Sequence, residues 1–282
     1  MSQRVLIIGG SGQLGGALTE VFRAQGDEVF VPARAELDIE HTDVVQKIVA
    51  YKPDVVINTA WFLVADCEKN PARAYQLNAL GAYNVARGAR EAGAIALYIS
   101  TDYVFDGSKK EGFTEEDCPH PLNVYGASKH AGEELVAIAN ARHYIIRTSA
   151  LFGRHAKPLG NFVLKMKARA EAGEPTTVAN DQTTCPTFAE DLAPVIQKIL
   201  EREAAFGVYH VTNSGVATWY DLAKEIFAQA GKSDLIEPSL TMPDGGGMVR
   251  PKWSVLQSKK LAVLGFAPLP SWKDALGRYL KT

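Results

Sequence analysis

The sequence predicts an α/β protein built on a doubly wound parallel sheet, with a smaller C-terminal lobe. Three observations carry that expectation. The chain opens on a continuous apolar run, Val5-Leu6-Ile7-Ile8, the pattern of a strand buried on both faces. Glycines at positions 9, 12 and 15 follow it directly, where a strand would turn into a helix. Short apolar runs then alternate with helical stretches up to about residue 150, the rhythm of right-handed β-α-β crossovers.

Each element follows from its local pattern. A helix is expected from about Gly12 to Gln25, and a second strand at Glu28-Val29-Phe30-Val31. Asp43 to Tyr51 reads as helix, and Asp54-Val55-Val56-Ile57-Asn58 as a third buried strand. Ala72 to Ala92 reads as one or two helices, Ala96 to Ser100 as a strand, Ser128 to Ala139 as the helix after Tyr125, and His143 to Arg147 as a strand. Beyond residue 150 the rhythm loosens. Phe162–Ala172, Ala189–Arg202 and Trp219–Ala230 are helical, Thr177–Ala179 is a short strand, and Gly207–Val211 is a late strand returning to the main sheet. Pro243-Asp244-Gly245-Gly246-Gly247 is a flexible loop, because glycines so spaced hold neither helix nor strand. The expected division is 1–150, with about 186–213 returning to it, against a smaller lobe of 151–185 and 214–282.

Composition narrows the function classes. A formal charge of −2 argues against binding the phosphate backbone of nucleic acid. No apolar run reaches the roughly 18 residues of a membrane span, and Met1-Ser2-Gln3-Arg4 leads straight into a strand with no signal peptide. Cys67, Cys118 and Cys185 stand far apart, so free thiols in a cytoplasmic protein are expected, with no zinc or disulfide framework. The 6 histidines show no metal-ligand spacing.

Gly9, Gly12 and Gly15 suit a Rossmann-like phosphate turn. They allow a tight bend and close approach of a pyrophosphate to the free N–H groups of a helix N-terminus. An acidic residue ending the second strand would bind the ribose hydroxyls of NAD. Here Arg34 can pair its planar fork with a 2′-phosphate, which favours NADPH, while Glu36 leaves NADH open. Asp38-Ile39 falls where the adenine would lie.

Ser100-Thr101 ends a buried strand, at the carboxyl edge where ligands of such sheets bind. Roughly 24 residues later come Tyr125 and Lys129, one helical turn apart and facing the same way. A phenol with a pKa of about 10 is a poor acid at neutral pH, so a neighbouring ammonium is expected to lower it. Lys129 can also hydrogen-bond a nicotinamide ribose, and Thr101 can donate to a carbonyl oxygen. Together these groups point to hydride transfer to or from a carbonyl. A second Tyr-x-x-x-Lys, Tyr220 to Lys224, is read as coincidence, with Trp219 and Tyr220 packing the smaller lobe.

At this point the chain resembles the extended short-chain dehydrogenase/reductases, and within them the dTDP-4-dehydrorhamnose reductases. The likeness runs almost end to end. It is carried by Gly12-Gln13-Leu14-Gly15, Leu37-Asp38-Ile39, Ser100-Thr101-Asp102-Tyr103-Val104-Phe105-Asp106-Gly107, Pro121-Leu122-Asn123-Val124-Tyr125-Gly126, Ser128-Lys129, Arg147-Thr148-Ser149, Gly160-Asn161-Phe162 and Arg250-Pro251-Lys252-Trp253. The resemblance implies reduction of the 4-keto group of a nucleotide-linked 6-deoxyhexose, dTDP-4-dehydrorhamnose to dTDP-L-rhamnose, in deoxysugar biosynthesis. It implies that Tyr125 gives the proton, that Thr101 and Asp102 contact the sugar, and that Gly12, Gln13 and Leu14 hold the pyrophosphate. It further implies that Ala60 and Trp61 pass near the cofactor, and that Asn161 and Arg250 lie toward the nucleotide-sugar. Some members dimerise through Mg2+ held by glutamates. No such site is placed here, and monomer and homodimer both remain open.

Two positions depart from the family pattern. Ala150 stands where a tryptophan usually follows Arg-Thr-Ser, and Thr59-Ala60-Trp61-Phe62-Leu63 replaces a stretch of small residues. Trp61 or Phe62 could refill the space left at Ala150; equally, the pocket could suit another nucleotide ketosugar. A sugar-nucleotide epimerase or dehydratase and a non-catalytic regulatory subunit are the competing readings on this scaffold. The missing glutamate after Thr101-Asp102 argues against a dehydratase, and the presence of Tyr125 and Lys129 argues against a non-catalytic subunit.

Overall fold

A computed structural model describes residues 2–155, 161–240 and 248–281. The loop expected at 243–247 and Gly160 lie outside the described residues. Six strands form one sheet: β1 (Arg4–Ile8), β2 (Glu28–Phe30), β3 (Val55–Asn58), β4 (Ile95–Thr101), β5 (His143–Thr148) and β6 (Gly207–His210). Their order is β6-β5-β4-β3-β1-β2 and every pairing is parallel. The chain runs outward from β1 to β2, then crosses to β3 on the other side. That reversal opens a crevice at the carboxyl ends of β1 and β3, where ligands bind in folds of this kind.

The apolar strands divide their side chains between two cores. Val5 and Ile7 of β1 face α1 (Gln13–Ala24), through Leu14, Leu18 and Phe22. Leu6 and Ile8 face the opposite layer, with Ile48 of α2 (Val44–Ala50), Val85 and Ala89 of α3 (Ala82–Glu91) and Val136 of α4 (Val124–Ala139). Each fully buried aliphatic side chain contributes about 1.5–3 kcal/mol relative to exposure. The smaller lobe contains α5 (Phe162–Ala172), and its core joins Phe152, Met166 and Phe188. Next along the chain, α6 (Ala189–Glu201) returns to the main sheet and packs beside α1 through Leu192, Ile196 and Ile199. Two more helices complete the lobe: α7 (Trp219–Gln229), through Phe227, and α8 (Trp272–Leu280), through Trp272 and Leu276.

Several details differ from the sequence expectation. The Ala72–Ala92 region has three pieces: a helical turn at Pro71–Tyr75, a π-helical turn at Gln76–Gly81, and α3. The π turn carries fully buried Asn78, whose Oδ1 accepts from Phe62 N at 2.8 Å and whose Nδ2 donates to Ser128 Oγ at 2.9 Å. These bonds go to other elements, which periodicity along one helix does not register. α4 begins at Val124, four residues earlier than expected. Asn123 caps it, accepting from Gly126 N at 2.8 Å, and Glu68 Oε1 accepts from Val124 N at 2.7 Å. Tyr125 therefore sits inside the first turn of the helix rather than before it. The last third is also shared between the cores. Leu261 and Leu269 pack on the main sheet, and Ile236–Ser239 pairs in parallel with Thr176–Ala179 in the lobe. Tyr220 packs against the lobe core, with Lys224 Nζ 5.8 Å from its ring centre. Among the described residues, no helix is long and apolar enough to cross a membrane.

Candidate active site

The glycine turn leaves β1 and doubles back against itself. Gly9 has φ +81, a left-handed conformation, and a Cβ there would lie 2.6 Å from Thr59 Oγ1. Gly12 N donates to Gly9 O at 3.0 Å, and a Cβ on Gly15 would stand 2.4 Å from the same oxygen. Gly12 is the N-cap of α1 and no side chain caps that end. Its first-turn N–H groups are thus without a side-chain acceptor, which is what a pyrophosphate requires. The residues fit a dinucleotide: side chains at Gly9 and Gly15 would collide with the turn itself, and the tight turn leaves the uncapped end of α1 facing the cleft.

Thr101, Tyr125 and Lys129 come together at the carboxyl end of β4. Tyr125 packs edge-on between Trp61 (ring centres 6.2 Å apart) and Tyr103 (5.9 Å), and its hydroxyl hydrogen-bonds Thr101. Lys129 is buried, with Nζ donating to Ile99 O at 2.6 Å and 3.8 Å from the ring centre of Tyr98. Gly132, one turn on, allows this close packing: a Cβ there would meet Asn78 O at 2.3 Å.

The electrostatics correct one expectation. Burial pushes the Tyr125 phenol above its ordinary range. The hydrogen bond to Thr101 opposes the rise and the Asp102 carboxylate adds to it. Lys129 does not reverse the balance. Burial, partly offset by Glu133, lowers its own pKa to about 7, so at neutral pH much of its charge is gone. Its remaining hydrogen-bonding capacity is directed first at Ile99 O. Tyr125 is held here as a phenol that keeps its proton.

Asp102 is also buried. Its Oδ1 accepts from Thr101 Oγ1 at 3.1 Å, and its Oδ2 from Ser254 Oγ at 2.5 Å, Ser149 Oγ at 2.8 Å and Thr184 Oγ1 at 3.3 Å. Burial pushes its carboxyl up, and these four hydroxyls oppose the shift. Ser149 lies in the Arg147-Thr148-Ser149 stretch that carries the resemblance, but the sequence assigns no role to it or to Thr184 and Ser254, because a hydroxyl shows no partner until the fold aims it at one carboxylate. Across the crevice, Asn161 Nδ2 donates to Gln13 Oε1 at 2.6 Å, and Asn161 Oδ1 caps α5 by accepting from Leu164 N at 2.8 Å. The link joins the phosphate turn to the smaller lobe.

One cleft of about 580 Å3 collects most of these groups. Gly12, Gln13, Leu14, Gly15, Trp61, Thr101, Asp102, Tyr125, Lys129, Asn161 and Arg250 line it, together with Ala150 and Trp219. Gly9, Arg34, Asp38, Ile39 and Ala60 do not. Gly9 packs against Thr59 and accepts from Gly12 N within the turn. Ile39 is buried in the core, and Ala60 packs against the same core with its N–H held by Asn58 Oδ1 at 3.0 Å. Arg34 is exposed and paired with Asp38 at 3.1 Å and Glu40 at 2.9 Å. Trp61 is 44% exposed and forms the cleft wall beside Tyr125, whereas Phe62 packs into the main core. Trp61, not Phe62, thus lines the cleft that Ala150 also lines. Ala150 has φ +41, a left-handed conformation uncommon outside glycine. A second cavity of about 330 Å3, lined by Thr212, Asn213 and Ser214 as well as by Leu256, Leu261 and Leu269, holds none of the predicted residues. Burial raises the thiols of Cys67 to about 12 and Cys185 to about 11, so neither is a nucleophile at neutral pH. Among the described residues, no group of His, Cys, Asp or Glu is placed to hold a metal.

The likeness to known proteins covers the whole chain. A family model described as the RmlD substrate binding domain matches residues 3–282. A dTDP-4-dehydrorhamnose reductase from Streptomyces griseus is 38% identical over 282 residues, spanning 97% of this chain and 91% of its own. The spore coat polysaccharide biosynthesis protein SpsK of Bacillus subtilis (strain 168) is 36% identical over 280 residues, spanning 99% of this chain and 97% of its own. The crystal structure of dTDP-4-dehydrorhamnose reductase from Bacillus anthracis str. Ames, in complex with NADP, superposes with a TM-score of 0.94 at 37% identity, each chain fully covered. An end-to-end match of this kind, on a fold whose cleft gathers the glycine turn, Thr101, Tyr125 and Lys129, places the chain in the RmlD substrate binding domain family.

Proposed function

We propose that this protein is an NAD(P)H-dependent oxidoreductase reducing the 4-keto group of a nucleotide-linked 6-deoxyhexose, dTDP-4-dehydrorhamnose to dTDP-L-rhamnose, in the cytoplasm. The observation that carries the reading is the convergence of Thr101, Tyr125 and Lys129 with the phosphate turn in one cleft. The names of the full-length relatives agree with it. Residues 1–150 and about 186–213 hold the cofactor; 151–185 and 214–282 hold the nucleotide-sugar. The active species is a monomer or homodimer.

When bound, NADPH supplies the hydride that reduces the ketone carbon. The first turn of α1, with Gly12, Gln13 and Leu14, would hold its pyrophosphate, and Lys129 its nicotinamide ribose. Asp38 and Ile39 lie on the adenine side, with Ala60 and Trp61 near the cofactor. Tyr125 gives its phenolic proton to the ketone oxygen: an O–H bond forms on the sugar as the phenol O–H breaks. A phenol with a raised pKa stays protonated until a stronger base, the developing alkoxide, stands beside it. Arg250 and Asn161 face the nucleotide-sugar, and Trp61 walls its sugar ring.

The test is NADPH oxidation in the presence of dTDP-4-keto-6-deoxy-L-mannose generated in situ. Turnover is expected. Its absence, with NADPH still bound, would sink the assignment of substrate and leave another nucleotide ketosugar as the reading. A second measurement concerns Arg34. Arg34 is exposed, its pair with half-exposed Asp38 is worth only about 0–1 kcal/mol, and nearly buried Glu40 keeps Arg73 as a second partner, so the guanidinium can exchange these contacts for a 2′-phosphate. Arg34→Ala is expected to raise the KM for NADPH by roughly tenfold, the loss of one charge-assisted contact, and to leave the KM for NADH nearly unchanged. Equal effects on both cofactors would exclude Arg34 from phosphate recognition.

A further inference from the structure

We propose that Gln13 is a positioning residue that couples the two halves of the cleft: its main chain serves the cofactor pyrophosphate while its side chain holds the Asn161 amide, so that a bound cofactor fixes Asn161 for the nucleotide-sugar. The proposal rests on the ketoreductase reading and gives the Gln13 side chain a part that the phosphate turn itself does not need.

The two tasks fall on different atoms. Gln13 is the first residue of α1, and Gly12 is the N-cap. Gly12 N is spent on Gly9 O, and Gly16 N on Gly12 O. The N–H groups of Gln13, Leu14 and Gly15 lie between them and have no carbonyl acceptor within the helix. A pyrophosphate there bonds the main chain. The Gln13 side chain is left for Asn161, whose Nδ2 donates to Gln13 Oε1 at 2.6 Å. The direction of that bond is fixed from its other end. Leu164 N needs an acceptor, so Asn161 turns Oδ1 to it at 2.8 Å and presents Nδ2 to Gln13. Nδ2 carries two protons, and the second remains for the nucleotide-sugar.

What Asn161 holds is the wall of the smaller lobe. It is buried and caps α5, whose first turn brings Phe162, Val163 and Lys165 to the same cleft. Phe162 packs on Trp219 of α7 with ring centres 4.8 Å apart, and Trp219 lines the cleft as well. Gly153 lets the chain entering the smaller lobe pass close behind Gln13: an added Cβ would stand 2.8 Å from Ala189 Cβ and 3.5 Å from Gln13 Cβ. With no cofactor, the Gln13 end of the tether belongs to a helix end whose N–H groups lack acceptors. Pyrophosphate on those groups fixes the Gln13 main chain, and the side chain carries that order to Asn161. By linkage the coupling is reciprocal, so a nucleotide-sugar favours cofactor binding by the same factor.

The deciding measurement is dTDP binding by calorimetry, with and without saturating NADP. The wild type is expected to bind dTDP about two- to tenfold tighter when NADP is present, the worth of one neutral hydrogen bond. Gln13→Met keeps the length of the side chain and removes the amide, and its ratio should fall to about one. Gln13→Glu restores an acceptor and should keep the ratio, although its charge beside the pyrophosphate weakens NADP binding itself. Asn161→Ser preserves a good helix cap but is too short to reach Gln13, and it should lose the ratio as Gln13→Met does. The two changes together should lose no more than either alone. If Gln13→Met fails to fold, Asn161→Ser decides. A Gln13→Met protein that binds dTDP equally weakly with and without NADP, from a wild type that does the same more tightly, would make the bond a static strut and overturn the proposal. So would a Gln13→Met protein that keeps the wild-type ratio. If the wild type binds no dTDP at all, the substrate reading fails. Hydrogen exchange of α5 then decides on Gln13, because NADP should slow it in the wild type and not in Gln13→Met.

Discussion

Tyr125→Phe is expected to lower kcat by about 10²–10⁴-fold, the usual contribution of a positioned general acid, while NADPH binds as before. The substitution removes one oxygen. The ring keeps its place between Trp61 and Tyr103, and α4 keeps its Asn123 cap. The phosphate turn, across the crevice, is untouched. What is lost is the phenolic proton beside Thr101. Lys129 is engaged by Ile99 O, and Asp102 already receives four hydroxyls. The check is single-turnover reduction of the nucleotide ketosugar alongside NADPH binding by fluorescence. A variant that keeps most of its kcat would remove Tyr125 from the chemistry and favour a proton delivered by water.

The second large effect concerns stability. Arg147→Met is expected to lower the free energy of unfolding by about 3–5 kcal/mol, because it leaves a buried carboxylate without its partner. Arg147 Nε donates to Glu133 Oε1 at 2.9 Å and Nη2 to Oε2 at 2.6 Å, with both residues buried. The third nitrogen, Nη1, reaches His210 Nε2 at 3.4 Å. Burial, with the Arg147 charge beside it, lowers that histidine to about 3, so it is neutral. Its Nδ1 donates toward Phe113 O (3.1 Å) and Gln257 O (3.2 Å), leaving Nε2 to accept from Arg147. Burial alone would raise the Glu133 carboxyl, but Arg147 and His130 outweigh it and hold it at about 2. A folded-state pKa below the ordinary carboxylate range means a stability contribution present above that range and lost as pH falls through about 2. In Arg147→Met burial is no longer outweighed and the Glu133 pKa rises above its unfolded value, so the deficit should be full at neutral pH and shrink as falling pH protonates the carboxyl. Chemical denaturation across pH measures both effects. The double variant Arg147→Met with Glu133→Leu should recover most of the loss. If the single variant is as stable as the wild type, the pair does not hold α4 to β5.

Much of this site could be read in the sequence because its signals are local. Val5-Leu6-Ile7-Ile8 and the glycines after it specify a buried strand and a tight turn through nearest-neighbour sterics alone. Tyr125 and Lys129 share a face because the helical repeat places residues four apart together. Where the reading missed, the cause was a partner distant in the chain. α4 starts at Val124 because Glu68 and Asn123 satisfy its first N–H groups. The π turn exists alongside a buried Asn78 that must bond both Phe62 and Ser128.

The sequence by itself determined the alternating sheet, the glycine turn after β1 and the placing of Tyr125 and Lys129 on one helix face. Composition, period and spacing encode those within a few residues of each other. Only the tertiary structure decided the protonation and direction of those groups. Burial, which no local pattern reports, raised the phenol of Tyr125 and brought Lys129 to about 7, against the expectation drawn from their proximity. The meeting of Thr101, Ser149, Thr184 and Ser254 on Asp102 likewise required the chain to close on itself. A desolvated charge takes its properties from whatever the fold packs around it.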